Sequence, residues 1–439
     1  MGDETPNPLS ISRIEVDRLF GQFTYNLQSG GVDLSKLLIL YGDNGSGKTT
    51  ILNCIFHLLS PAANRGHRGE LARVPFARFS VTLGDGTTVS AERPTAALVG
   101  NFDMSLHRSS REKISRSFEF DADFKAKQAK TDQAGPRFLP ALASLGLRLH
   151  LLSDERKIVT DMAPSGESDE GDTPRRYFVA GGNVISSRRA PNYLEQAIQR
   201  AVEGIRRQAI AGSGAGEINA NTLYADITKR IVSPFHRGTV RGAPSLTELV
   251  DDLKRQAERS VSFARFGLSS ELRADDFLGT LHSTRAQDQA EVLEQILRPF
   301  IDGFKLRLDA LESLHDKIST FIGTLNAFYR GKTVSFHLRE GFLVTSQNGE
   351  LLPPNVLSSG EKQLLLLFCN ILAVGEEASI FIIDEPELSL NVKWQRKLVD
   401  ALLDCTKNTR TQFILATHSI ELLTQHQHNV LQLATQVPE

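Results

Sequence analysis

Residues 37–50 read LLILYGDNGSGKTT, and this stretch decides the fold class. The apolar run 37–41 is short and uninterrupted, which predicts a strand buried on both faces. Residues 42–49 fit the pattern G-x-x-x-x-G-K-[ST], and residues 51–60 have helical spacing. A strand, a glycine-rich loop and a helix in this order predict a phosphate-binding loop in an α/β fold.

The residue types in this loop are those that phosphate binding requires. Glycines let successive backbone N–H groups turn inward around a phosphate, and the start of the helix adds its positive end. We expect Lys48 to reach the terminal phosphates and the Thr49 hydroxyl to ligate Mg²⁺. A glycine-rich turn with an exposed lysine is the alternative. The predicted nucleotide-binding residues are Gly42, Asp43, Asn44, Gly45, Ser46, Gly47, Lys48, Thr49 and Thr50.

A second apolar run ends in two carboxylates. Residues 379–384 read SIFIID, and Glu385 follows directly. Because the carboxyl ends of parallel strands meet at one edge of a sheet, we expect Asp384 beside the metal ion. Glu385 is then placed to act as general base on the attacking water. Two acids that simply end a strand at the surface are the alternative.

Two shorter motifs lie in the last quarter of the chain. Residues 357–363, LSSGEKQ, precede a helix in which Ser358 suits the N-cap and Gly360 permits close approach of another backbone. An ordinary capped helix is the alternative for this segment. His418 follows a strand predicted at 411–417, where it is placed to contact a terminal phosphate. A structural histidine with satisfied hydrogen bonds is the alternative there.

Composition sets the class of protein. The chain has 439 residues, of which 40% are hydrophobic and 23% charged, and this globular balance excludes a largely disordered chain. The net charge of −2 excludes a global basic field, so nucleic-acid binding needs a local patch. Three widely spaced cysteines argue against a disulfide framework. The longest apolar run, 364–374, is too short to span a bilayer, so we expect a cytoplasmic protein without a membrane segment.

The patterns along the chain predict a domain split by an insertion. The predicted segments are 1–95, the first half of the α/β head; 96–191, a poorly assigned extension with a polar loop at 164–174; 192–330, a helical insertion; and 331–439, the second half of the head. Helices are predicted at 192–211, 245–266 and 288–329, the last bent at Pro299. The insertion carries 18 basic and 18 acidic residues, so it is neutral overall.

Together these motifs resemble the ABC-type ATPase superfamily. GDNGSGKT resembles its Walker A motif, LSSGEKQ its signature, SIFIIDEPELSLN its Walker B motif with the D-loop, and ATHS its His switch. Roughly 310 residues separate Lys48 from Ser358, which is typical of the SMC, RecF, Rad50 and OLD-like branch. The segment DEPELSL, residues 384–390, most resembles that of AAA-type ATPases in bacterial anti-phage systems of the Septu or PARIS type. Many relatives have His-Pro after this segment, whereas this chain has Asn391-Val392.

The resemblance implies an α/β fold in which a mixed sheet is flanked by helices, with antiparallel N-terminal strands and an inserted helical lobe. It also implies a homodimer or higher homo-oligomer that sandwiches ATP and Mg²⁺ between heads. Thr49 and Asp384 would hold the metal. An aromatic residue of the hairpin predicted at 11–20 and 23–27 would stack on adenine, with Phe20, Phe23 and Tyr25 as candidates; aromatic residues at such positions more often belong to the core. The catalytic residues would be Glu385, His418 and Lys48. The signature residues acting on the partner's nucleotide would be Ser358, Ser359, Gly360 and Glu361.

The same resemblance implies a defence ATPase that acts as scaffold or sensor for a separate effector nuclease. A phage-derived trigger protein and DNA are further expected partners. The alternative is a RecF-like or Rad50-like DNA-repair ATPase, which needs a basic surface; residues 60–160 carry 16 Lys and Arg against 11 Asp and Glu. A transporter ATPase fits the large insertion poorly. No Toprim-like acidic constellation follows His418, so we do not expect a fused nuclease.

Overall fold

The computed structural model describes residues 8–28, 31–63, 65–94, 97–108, 113–127, 137–153, 158–161, 193–232, 246–277, 287–373 and 378–433. The chain divides into two compact units. The first, here called the two-sheet unit, comprises Met1–Tyr193 and Val374–Glu439, and the second, the helical unit, comprises Leu194–Ala373. The signature segment thus groups with the helices, whereas the four-segment division remains a prediction.

The described strands and helices are numbered in chain order through both units. The strands are β1 Ile11–Leu19, β2 Phe23–Gln28, β3 Leu37–Tyr41, β4 Arg78–Leu83, β5 Thr88–Glu92, β6 Phe102–His107, β7 Lys113–Phe118, β8 Arg148–Leu152, β9 Ile158–Asp161, β10 Lys332–His337, β11 Gly341–Ser346, β12 Ser379–Asp384, β13 Thr411–Thr417 and β14 Val430–Gln432. The helices are α1 Lys48–Leu59, α2 His67–Arg73, α3 Phe138–Ala143, α4 Tyr193–Val232, α5 Leu246–Arg265, α6 Gln287–Phe328, α7 Ser359–Ala373, α8 Val392–Cys405 and α9 Ile420–Leu423.

The largely parallel sheet has the predicted site residues at the carboxyl ends of its strands. Its strand order is β14-β3-β13-β12-β8-β9, and β9 runs antiparallel to β8. The bounds of β3, β12 and β13 agree with the sequence prediction. Thr417 pairs with Tyr41, and Asp384 pairs with Ala416. The carboxyl ends of three adjacent strands therefore lie side by side.

The second sheet is antiparallel, with the order β2-β1-β4-β5-β6-β7. It contains the hairpins β1–β2 and β4–β5. Strands β6 and β7 extend it into the segment that the sequence left poorly assigned, whereas the polar loop 164–174 lies outside the described residues. A parallel sheet with an added antiparallel sheet confirms the predicted α/β fold class.

Helix α1 fills the space between the two sheets. It contacts β8, β12 and β13 on one side and β5 on the other, and its apolar side chains are almost wholly buried. Burying one such side chain contributes about 1.5–3 kcal/mol. The buried amide of Gln412 also links the sheets, because it bonds both the N–H (2.7 Å) and the carbonyl oxygen (2.9 Å) of Ile11. The N-terminus of α1 is therefore held rigidly at the strand edge.

The helical unit is built on three long helices and the β10–β11 hairpin. Helix α6 contains Pro299 as predicted, and α4 continues past the expected end at residue 211 to Val232. Gly212 explains part of this difference, because a Cβ there would lie 2.8 Å from Leu311 Cδ2 of α6. Close packing offsets the low helix propensity of glycine. No helix in the described ranges is long and apolar enough to cross a membrane.

Candidate functional site

The predicted phosphate loop is a tight turn that requires glycine. Gly45 and Gly47 have φ angles of +86° and +89°, a region that L side chains rarely adopt. A Cβ on Gly47 would lie 2.8 Å from Leu19 Cδ2, and a Cβ on Gly42 would lie 2.9 Å from Ser46 Oγ. The tip of the loop, residues 43–45, is exposed. The loop is thus a backbone cradle open to solvent.

Lys48 and Thr49 stand where this loop enters α1. Lys48 is 6% exposed, and its Nζ donates hydrogen bonds to the carbonyl oxygens of Gly42 (2.7 Å) and Asp43 (2.9 Å). Thr49 is exposed in the first turn of the helix, and Thr50 is half-buried. The ammonium group and the hydroxyl therefore lie at the positive end of α1, where an anion is stabilised.

The loop is held from the antiparallel sheet by Tyr25. Its hydroxyl donates a 2.9 Å hydrogen bond to the backbone carbonyl of Ser46, and its ring is buried and stacked on that of Phe23. Burial raises the pKa of Tyr25, which keeps the hydroxyl protonated as a donor. The sequence offered three aromatic residues for adenine. Tyr25 is committed to the loop, and Phe20, at 42% exposed, is the most accessible of the three.

Asp384 and Glu385 follow one another at the carboxyl end of β12. Asp384 is the last residue of the strand and is buried. Glu385 has a φ of +46°, and its N–H donates a 2.9 Å hydrogen bond to the carbonyl of Ala416 on β13. A non-glycine residue in this conformation is strained by about 1–3 kcal/mol. Strain of this kind is concentrated at functional sites, and here it directs Glu385 away from the course of the strand.

The predicted base and the predicted histidine are in contact. His418 Nδ1 lies 3.2 Å from Glu385 Oε1, in the loop that follows β13. The imidazole is half exposed and the Glu385 side chain is 29% exposed. Ser419, the next residue, bonds Gln395 Oε1 of α8 through its hydroxyl at 2.9 Å. The structure thus brings together Glu385 and His418, which are 33 positions apart in the sequence.

Sequence reasoning missed Glu387 as a member of this cluster. Its side chain is 6% exposed, and its Oε1 accepts hydrogen bonds from the Thr417 hydroxyl and the His418 N–H. The same oxygen lies 3.5 Å from His418 Nδ1. The only sequence signal was a further acid two positions after Glu385. Nothing in the spacing indicated that this acid turns inward.

The signature segment begins α7 of the helical unit with a capping box. The Ser358 hydroxyl accepts from the N–H of Glu361 (3.3 Å), and the Glu361 carboxylate accepts from the N–H of Ser358 (2.8 Å). Ser358 and Ser359 are exposed, whereas Gly360 is buried. The capped helix that was the alternative interpretation is therefore present, and it leaves two serine side chains at the surface.

Glu361 faces the interior of its own unit. Its carboxylate accepts hydrogen bonds from Lys332 Nζ at 2.7 and 2.9 Å, and its carbonyl accepts one from the Tyr329 hydroxyl at 2.8 Å. Burial raises the pKa of Glu361, but the hydrogen bonds from Lys332 and Ser358 outweigh it, so that the net shift is downward. The structure therefore gives Glu361 a role in holding the start of α7, through which it supports Ser358.

The residues at the loop fit a magnesium nucleotide better than a metal held by protein alone. Among the described residues no group of three or more His, Cys, Asp and Glu side chains could hold a metal ion. Mg²⁺ bound with a nucleotide takes one or two protein oxygens and completes its shell with phosphate and water. The exposed Thr49 hydroxyl and the Asp384 carboxylate are ligands of that kind.

Comparisons with known proteins give two similar solved structures and one matching family. One is the SMC head domain of Pyrococcus furiosus with an extended coiled coil, bound to the C-terminal domain of ScpA; it has 12% sequence identity and a TM-score of 0.38, over 96% of this chain and 93% of that chain. The other is the SMC head domain of Thermotoga maritima, which has 9% sequence identity and a TM-score of 0.32, over 94% of this chain and 91% of that chain. These scores are too low to decide the family, and no curated protein matches significantly. The family profile described as "AAA domain, putative AbiEii toxin, Type IV TA system" matches residues 37–424. Because that match spans most of the chain, the protein belongs to this family of AAA-domain proteins.

Proposed function

We propose that the protein binds ATP with Mg²⁺ and hydrolyses it to ADP and phosphate. One observation carries this proposal: the glycine-rich loop with Lys48, the strand-end Asp384 and the Glu385–His418 pair all belong to adjacent strands of one sheet, at their shared carboxyl ends. A triphosphate placed on the loop has a cation, a metal-ligating carboxylate and a general base at the same edge.

Each residue has a distinct task in the proposed reaction. The loop N–H groups and Lys48 neutralise the phosphate charge, and Thr49 and Asp384 hold Mg²⁺, which further withdraws charge when it is bound. Glu385 accepts a proton from the attacking water. His418 orients the Glu385 carboxylate through Nδ1 and contacts the terminal phosphate. Phe20 is the aromatic residue available to stack on adenine.

We further propose that ATP joins two copies of the chain. Ser358 and Ser359 are exposed at the N-terminus of α7, where free backbone N–H groups and the helix dipole favour a phosphate. In the proposed dimer these serines and the Gly360 amide meet the nucleotide that the partner's loop holds. Part of the ATP binding energy then becomes available only when two copies meet, so ATP stabilises the dimer.

The proposed biological role is that of a scaffold or sensor in anti-phage defence. The family description names an AbiEii toxin of a toxin–antitoxin system, which is consistent with a defence function. The chain would respond to a phage-derived trigger and, in the ATP-bound dimer, hold or release a separate effector nuclease in the cytoplasm. DNA is an additional proposed partner, and direct action on DNA would instead place the protein with the DNA-repair ATPases.

The test is the mass of the protein with and without ATP. Glu385→Gln keeps the side-chain shape but removes the base, so we expect it to bind Mg-ATP, to hydrolyse it at least about a hundredfold more slowly and to elute as a dimer in light-scattering chromatography. Lys48→Ala is the control that should remain monomeric at the same ATP concentration. An E385Q variant that binds ATP but keeps its apo mass overturns the dimer. ATPase activity stimulated by duplex DNA in a salt-dependent manner would favour the DNA-repair role.

A further inference from the structure

Among the described residues, Glu387 is a buried carboxylate at the carboxyl ends of these strands for which the proposed reaction has no use. It lies in the turn between β12 and α8, three residues after the metal-ligating Asp384. Its Oε2 has no hydrogen-bond partner among the residues that the structure describes. Burying an incompletely satisfied carboxylate destabilises a fold, so packing alone gives no reason for an acid here.

Among the described residues, the contacts of the Glu387 carboxylate go to the last residue of β13 and to the residue that follows it. Its Oε1 accepts from the Thr417 hydroxyl, accepts from the His418 N–H at 3.3 Å, and lies 3.5 Å from His418 Nδ1. The turn after β12 is tied to the same strand by the bond from the Glu385 N–H to the Ala416 carbonyl. Glu387 therefore connects the turn that contains the predicted base, Glu385, to the segment that contains His418.

Two carboxylate oxygens lie near the same ring nitrogen of His418. Nδ1 lies 3.2 Å from Glu385 Oε1 and 3.5 Å from Glu387 Oε1. A carboxylate oxygen is an acceptor, so a hydrogen on Nδ1 suits this arrangement better than a lone pair does. A carboxylate that holds one ring nitrogen fixes both the tautomer and the orientation of the imidazole.

We infer that Glu387 is a positioning residue that holds His418 with Nδ1 protonated and directed at Glu385, and thereby aligns the base. Without Glu387, Glu385 is the carboxylate that remains beside Nδ1 among the described residues, and rotation of the side chain can carry Nδ1 away from the base. Glu387 acts through His418 and touches no substrate. Because Glu385 and His418 act on ATP only if the chain hydrolyses it, this role rests on the proposed function.

A double-mutant cycle on single-turnover ATP hydrolysis tests this role, with protein in excess of radiolabelled ATP. Glu387→Gln retains the size of the side chain and removes its charge. We expect E387Q to slow hydrolysis by about tenfold or more, the effect typical of groups that orient an imidazole, while the ATP dissociation constant changes less than about twofold. In a His418→Ala background the same substitution should have no further effect, because the residue through which it acts is gone.

Matched variants separate this role from a purely structural one. Glu421→Gln removes a partly exposed carboxylate that pairs with Arg396 near the same loop, and it should leave the hydrolysis rate unchanged. If E387Q lowers the melting temperature by more than a few degrees, Glu387→Asp, which keeps the charge but withdraws the carboxylate by one methylene, takes its place in the cycle with the same expectation.

The outcomes distinguish the inference from the function on which it rests. An unchanged rate in E387Q overturns the positioning role, and so does an equal rate loss in the wild-type and H418A backgrounds. A change confined to ATP affinity also overturns it. If the wild-type protein itself does not hydrolyse ATP, or if E385Q hydrolyses it at the wild-type rate, the proposed function fails instead.

Discussion

The Tyr25 hydroxyl donates a 2.9 Å hydrogen bond to the backbone carbonyl of Ser46, and so joins the antiparallel sheet to the phosphate loop. Tyr25 belongs to β2, whereas Ser46 lies between β3 and α1. The bond is buried, which makes it stronger than an exposed one and makes its loss more costly. The shape of the loop therefore depends on a sheet to which it does not belong.

Tyr25→Phe should weaken nucleotide binding without removing it. The substitution leaves the Ser46 carbonyl without its donor and should lower the free energy of unfolding by about 1 kcal/mol, with a loss of ATP affinity of about fivefold as the loop loosens. Calorimetric titration with ATP and urea unfolding measure the two effects. Tyr193→Phe, at an exposed tyrosine, is the control that should change neither. Unaltered ATP affinity in Y25F would show that the loop keeps its shape unaided.

Gly47→Ala should be much more harmful than Gly66→Ala. Both glycines precede a helix with positive φ, +89° and +78°, so the backbone strain of alanine is similar, about 1–2 kcal/mol. A Cβ at Gly47 also meets Leu19 Cδ2 at 2.8 Å, whereas nothing lies within 4 Å at Gly66. Urea unfolding should show the larger stability loss in G47A, and only G47A should lose ATP binding. Equal stability losses would contradict the predicted steric conflict.

Ser358→Asp separates capping from action on a partner's nucleotide. Aspartate caps a helix about as well as serine, so the apo chain should keep its stability within about 0.5 kcal/mol. The added negative charge opposes a phosphate, so S358D combined with E385Q should no longer dimerise with ATP. Ser358→Ala should instead cost about 1 kcal/mol of stability through loss of the cap. An ATP-bound dimer of the S358D/E385Q protein, seen by light scattering, would exclude Ser358 from the interface.

The Lys332–Glu361 pair should make the free energy of unfolding decrease as the pH falls into the acid range. The pKa of Glu361 is lower in the folded state than in the unfolded chain, so its contribution is present above the unfolded value of about 4.3 and is lost as pH falls through the lower folded value. Lys332→Met leaves the carboxylate without its cation and should cost about 2 kcal/mol at pH 7. Lys362→Met, at a half-buried lysine of α7 that donates only an exposed hydrogen bond to the Asn355 carbonyl, should cost less.

The measurement for this pair is the urea midpoint between pH 7 and pH 3. The wild-type midpoint should fall as the pH approaches the folded pKa of Glu361. Glu361→Gln should have a lower midpoint at pH 7 and a shallower fall with acid, because the group that titrates is absent. Parallel pH profiles for the two proteins would mean that Glu361 is not the group responsible.

The local sequence was sufficient to predict a segment where its own residues determine its conformation or burial. The runs 37–41, 379–384 and 411–417 are buried on both faces, so their apolar composition alone marked the strands to the residue. The glycines of the phosphate loop were equally clear, since a positive φ and close backbone approach leave few alternatives. By contrast, β6 and β7 are short strands that only complete a sheet, and their pattern was too weak to assign.

The sequence by itself determined the strand–loop–helix that forms the phosphate cradle, the order of the motifs and the α/β class, because each depends on contacts within a few residues. Only the tertiary structure decided that Glu387 reaches His418, that Tyr25 supports Ser46 and that Glu361 turns inward to Lys332. Those contacts join residues that are 21 to 31 positions apart, in separate strands, helices or loops. Their geometry follows from sheet order and helix packing, and no local pattern of residues encodes it.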